Sequence, residues 1–219
     1  MVKKVIIFGF PHCGTSILKS IIGHSSDVHE IENETDAIPD MITDKLFILC
    51  KFPFTKTDFF SRKYHEYIKI FIIRNPEYVF SSLNRRFSYD IPEHHSISRY
   101  ISTAKRFLYH RDKSPRDNLY LLRYEDIFHN NFESIRALLN NIGIRYTDII
   151  FNNDHFTNIH NSKISTVPLK EPSAVDHVRF RTYQINTPIE NKNDPIKCSL
   201  TREQKRVIHE CDTIKRLYQ

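Results

Sequence analysis

"FGFPHCGTSIL", Phe8 to Leu18, follows one short apolar run and leads into another, and its reading decides the fold. It carries two of the chain's four glycines, Gly9 and Gly14, which permit a tight turn and close approach of backbone to a ligand. Thr15 and Ser16 add hydroxyls where a helix begins, and free amides with the helix dipole make such an N-terminus an anion site. Strand, glycine loop and helix together describe a phosphate loop. A Walker loop would carry its lysine where Thr15 stands, and that lysine reaches the terminal phosphates of a nucleoside triphosphate. Its absence argues against a triphosphate kinase.

Working outward, residues 5–8, 46–50, 68–73 and 119–122 are apolar runs of the length of buried parallel strands, with a weaker one at 28–31. Helical signals alternate with them. Residues 15–23 follow the first run, and 76–87 begin with Pro76 in the first turn behind Asn75 as a cap. Residues 97–110 and 132–141 are amphipathic, the second ending at Gly143, and 201–217 open with Thr201 and Gln204 at capping-box spacing. The alternation predicts an α/β fold: three layers, P-loop-like, with a central parallel sheet flanked by helices. A length of 219 residues with 40% hydrophobic content suits a single domain over 1–219. Residues 152–197, polar and weakly periodic, read as a long covering loop.

The net charge of +6 favours an anionic partner. Cys13, Cys50, Cys198 and Cys211 show no paired spacing, which suits a reducing compartment. The opening Met-Val-Lys-Lys runs straight into the first strand, so neither a signal peptide nor a membrane span is expected, and the location is expected to be cytoplasmic. No metal is expected, because His29-Glu30, His65-Glu66 and His209-Glu210 each lack the second histidine of a zinc motif and no CxxC occurs. Cys13 reads as a small residue that allows tight packing. His94 and His95 read as exposed, with lining the mouth of an acceptor site as the alternative.

A cation stands at the end of each main run: His12 after the first, then Lys51, Arg74 and Arg123. Ligands of open parallel sheets bind at the carboxyl ends of the strands, so these side chains are expected along one edge, beside the phosphate loop. Within "IFIIRNPEYVFSSLNRRF", Ser82 lies two turns into a helix on the face that looks back to Arg74. A guanidinium fork with a hydroxyl is a phosphate site.

This set of motifs resembles the sulfotransferases that use 3′-phosphoadenosine 5′-phosphosulfate (PAPS) and release 3′-phosphoadenosine 5′-phosphate (PAP). Their 5′-phosphosulfate loop has the form P-(K/R)-S-G-T-(S/T), met here by "PHCGTS". Their 3′-phosphate motif has the spacing of Arg74 and Ser82. "LLRYEDI" is similar to their Tyr-Glu-Asp strand end, and "LTREQKRVIHECDTIKRLYQ" to their closing helix. The resemblance implies cofactor contacts from Pro11, His12, Cys13, Gly14, Thr15, Ser16, Arg74, Ser82, Tyr124 and Lys163, with no metal. "GHSSDVHEIENETDAIP" and "LCKFPFTKT" resemble the tyrosylprotein and Golgi-type branch, which implies Glu34 as catalytic base and Lys51 facing the leaving group. His12 stands where that loop has lysine or arginine, and is expected at the edge of the 5′-phosphate as a third catalytic residue. Asp36 stands where the tyrosylprotein branch has an arginine that contacts substrate, which argues against an acidic tyrosine peptide.

The activity implied is sulfuryl transfer to a hydroxyl acceptor, a carbohydrate or small alcohol, with base, cation and in-line positioning as the needs of the chemistry. Two other classes stay open. One is a non-catalytic nucleotide- or nucleic-acid-binding protein, suggested by the basic and aromatic stretch 99–116. Its apolar residues have helical spacing, so a solvated basic face over a packed stripe is the simpler account, and no nucleic-acid partner is expected. The other is a small-molecule kinase of the phosphate-loop type.

Overall fold

The computed structural model describes residues 2–31, 35, 37–52, 54, 58–113, 118–152 and 189–218. Five parallel strands form one sheet: β1 (Lys3–Phe8), β2 (Val28–Glu30), β3 (Phe47–Lys51), β4 (Ile68–Ile73) and β5 (Leu119–Arg123). Their order is β2-β3-β1-β4-β5. The chain leaves β1 toward one edge and returns to fill the other, so the carboxyl end of β1 lies at the switch point, where such sheets bind ligands.

Seven helices flank the sheet among the described residues: α1 (Thr15–Gly23), α2 (Pro76–Phe87), α3 (Ile97–Lys113), α4 (Tyr124–Ile127), α5 (Glu133–Ile142), α6 (Arg202–Glu210) and α7 (Asp212–Tyr218). Successive strand residues point to opposite faces, and the core divides accordingly. Val5, Ile7, Leu49, Ile70 and Ile72 pack with α1 and α5 through Leu18, Ile21, Ile135 and Leu139. Ile6, Phe8, Ile48, Phe71 and Ile73 pack with α2, α3 and α7 through Val79, Leu83, Phe107 and Leu217. These are the three layers expected.

Local signals placed the helix starts well. Asn75 accepts the Glu77 N–H with Pro76 next to it, and Thr201 and Gln204 form a complete capping box. Gly143 ends α5 in the left-handed region at φ 86°. Two helices depart from expectation by more than one residue. Helix α3 runs on to Lys113, and the closing helix is two helices, broken where Cys211 turns extended. An unbroken helix would set Ile208 and Ile214 about 240° apart around its axis. The break lets Ile208, Ile214 and Leu217 all bury in the same cluster.

The stretch suggestive of nucleic-acid binding is mostly α3, which buries Tyr100, Ala104, Phe107 and Leu108. Its apolar and aromatic stripe is largely core. No described helix is long and apolar enough to cross a membrane.

Candidate active site

The loop between β1 and α1 turns so tightly that side chains are barred from two positions. A Cβ on Gly9 would meet the Ile72 carbonyl oxygen, and one on Gly14 would meet the Tyr124 ring. Gly14 also lies at φ 91° as the N-cap of α1, a region that favours glycine. Cys13 is wholly buried, and burial pushes its thiol up to about 12, which leaves no thiolate for nucleophilic attack. Thr15 and Ser16 open α1. Pro11 through Ser16 thus make a tight turn that ends in the N-terminus of α1.

Lys51, the last residue of β3, donates from Nζ to Ser16 Oγ at 3.1 Å. Two adjacent strand ends are thereby joined at the phosphate loop. Arg74 follows β4 and is 7% exposed. Its Nη1 donates to the His12 carbonyl at 3.0 Å, its Nε to Asn193 Oδ1 at 2.7 Å and its Nη2 to the Lys192 carbonyl at 3.1 Å. The guanidinium lies over the Tyr124 ring, 4.4 Å from its centroid. A guanidinium has five N–H groups, so one remains on each terminal nitrogen. The Tyr124 hydroxyl donates to the Glu190 carbonyl at 3.3 Å and accepts from the Lys192 N–H at 3.1 Å. It ties the 189–193 segment over Arg74.

Ser82 and Arg74 meet through His12 rather than directly. His12 Nδ1 is 2.7 Å from Ser82 Oγ, and Arg86 Nη1 is 3.3 Å from His12 Nε2. Burial above all, followed by the charges of Arg86, His95, Arg74 and Arg85, pushes His12 down to about 3. It is neutral at ordinary pH. Not every strand-end cation joins the group, for Arg123 pairs with Asp126 at 2.7 Å. Glu34 and Lys163 lie outside the described residues, as do 153–188 of the expected covering loop. Thr35, the next residue after Glu34, donates its N–H to the Lys51 carbonyl at 3.4 Å.

His95 differs from its expected exposure. It is half-buried beside Phe10 and Phe87, and burial, with His94 and Arg86 adding to it, pushes it down to about 4.

Three residues of the site were missed. Arg86 stands four residues after Ser82, the spacing that shares a helix face, and that signal was readable. Asn193 and Glu125 were not. Glu125 Oε1 accepts from the Asn75 N–H at 2.9 Å and from Asn193 Nδ2 at 3.1 Å. This fixes the Asn193 amide so that its oxygen meets Arg74. Further along, Ser81 Oγ donates to the Lys197 carbonyl at 3.1 Å, and Asn84 Nδ2 donates to the Ser199 carbonyl at 2.9 Å. Segment 189–199 is thus fastened across the carboxyl edge of the sheet.

Residues 49–148 match the model of the Sulfotransferase family, a stretch that contains Lys51, Arg74, Ser82, Arg86 and Tyr124. The crystal structure of mouse sulfotransferase SULT7A1 complexed with PAP is similar in fold. Its TM-score is 0.57 at 13% sequence identity, over 99% of this chain and 88% of that one. No curated protein matches the chain. Family match and fold together support a sulfotransferase, an enzyme.

Proposed function

We propose that the chain moves a sulfuryl group from PAPS to a hydroxyl acceptor, a carbohydrate or small alcohol, in the manner of the tyrosylprotein and Golgi-type branch. The observation that carries this reading is Arg74, buried beside a phosphate loop with one N–H on each terminal nitrogen left over. Two groups of residues support the reading: the loop amides with Thr15 and Ser16 suit a 5′-phosphosulfate, and Arg74 with Ser82 and Arg86 suits a 3′-phosphate. Tyr124 and Lys163 complete the set expected to hold the nucleotide.

PAPS, when bound, supplies an activated sulfuryl group on a phosphate leaving group. Glu34 takes the proton of the acceptor hydroxyl as its oxygen attacks sulfur. Lys51 offsets the charge that gathers on the bridging oxygen as the old sulfur–oxygen bond breaks. The acceptor enters on the side of Phe10, Phe87 and His95, and no metal takes part. We expect the enzyme to work in the cytoplasm.

Labelled PAPS offered with a panel of sugars, phenols and aliphatic alcohols tests the proposal. The expected result is label on one class of acceptor and an equal amount of PAP. Magnesium-dependent consumption of ATP with no transfer from PAPS would favour a kinase instead, and PAP binding without transfer to any acceptor would favour a non-catalytic nucleotide-binding protein.

A further inference from the structure

We propose that His12 is a positioning residue of the 3′-phosphate site, holding Ser82 and Arg86 by its two ring nitrogens, and that it does not serve the departing 5′-phosphate. The inference rests on the PAPS reading above. His12 sits at φ 65°, a left-handed conformation that is strained for a residue with a Cβ. That backbone offers the His12 carbonyl to Arg74 Nη1 at 3.0 Å and sends the ring to α2, between two residues one helical turn apart. Arginine has donors only. With Arg86 Nη1 at 3.3 Å, Nε2 is therefore the acceptor. The proton of the neutral ring resides on Nδ1 and is donated to Ser82 Oγ at 2.7 Å.

Two consequences follow from this tautomer. Ser82 accepts from His12, so its own hydroxyl hydrogen turns away from the ring, free to be donated to a phosphate oxygen. Both ring nitrogens are also spent inside the protein, which leaves neither for the leaving group. The side chain of position 12 thus links the 5′ loop to the 3′ site. A lysine there would set an ammonium against Arg74 and Arg86 and offer Arg86 no acceptor, so the residue type common in similar loops does not suit these surroundings.

Calorimetry with PAP and with AMP, which lacks the 3′-phosphate, tests the inference without requiring turnover. Wild type is expected to bind PAP much more tightly than AMP. His12→Ala is expected to weaken PAP by about 10- to 100-fold, the loss of one or two hydrogen bonds near charged groups, and AMP by less than about threefold. His12→Asn keeps a donor near Nδ1 and His12→Gln an acceptor near Nε2, so each is expected to fall between wild type and alanine. These two also serve if the alanine variant melts too low for titration. His12→Lys is expected to lose PAP affinity as alanine does. Equal losses of PAP and AMP in His12→Ala would return His12 to the 5′-phosphate and overturn the inference, as would His12→Lys binding PAP as tightly as wild type. Wild type binding PAP and AMP equally would overturn the 3′-phosphate reading itself.

Discussion

Glu34→Gln is expected to lower turnover on the order of 10²–10⁴-fold, the usual contribution of a positioned general base. Glutamine keeps the shape and hydrogen-bonding reach of the side chain and removes its ability to take a proton. A base acts on the acceptor hydroxyl and not on the nucleotide, so PAP affinity should hardly change. The neighbouring residue Thr35 donates its N–H to the Lys51 carbonyl at 3.4 Å, at the end of β3. Glu30, also acidic and close in sequence, lies in an ion pair with Lys19 at 2.9 Å. It is already committed to holding β2 against α1. Steady-state rates for Glu30→Gln, Glu32→Gln and Glu34→Gln, each with PAP affinity measured alongside, decide the matter. Near-normal turnover in Glu34→Gln with a collapse in either of the others would move the base to that carboxylate.

Lys51→Ala is expected to cut turnover by about 10²–10³-fold, the scale of losing one preorganised group at developing charge. PAP affinity should fall far less, because the interaction strengthens as charge builds on the leaving phosphate. The ammonium is well placed for this. It is held at 3.1 Å by Ser16 Oγ, in the first turn of the helix that follows the loop. With His12 neutral, Lys51 takes in this proposal the part of a permanent charge brought to the loop from a neighbouring strand. Lys51→Arg should recover part of the rate. A Lys51→Ala enzyme as fast as wild type would mean that the leaving group is served from elsewhere.

Much of this architecture was legible because its signals are local. Strands buried on both faces read as continuous apolar runs, and Ile68–Ile73 is buried at all six positions. Asn75 with Pro76, and Thr201 with Gln204, act within a few residues of themselves, so their caps could be read directly. The break at Cys211 could not, since it answers to the phase of α7 against the sheet rather than to any breaker in the sequence. Arg74 and Lys51 could be expected near the loop because strand ends in a parallel sheet share an edge. Asn193 and Glu125 are 68 residues apart, and no composition or spacing relates them. His12 was visible as a titratable residue in a phosphate loop. Only the fold brings Ser82 and Arg86 to its two nitrogens and gives the ring a different task.

The central claim is a site built for a nucleotide with phosphates at both 5′ and 3′ positions, and calorimetric titration of wild type and Arg74→Ala with PAP and AMP tests it most directly. The account predicts that wild type prefers PAP strongly. It further predicts that Arg74→Ala loses roughly 1.5–3 kcal/mol of PAP binding, a charge-assisted contact, while AMP binding changes little. Equal wild-type affinities for PAP and AMP, or an Arg74→Ala variant that keeps the full preference for PAP, would contradict it.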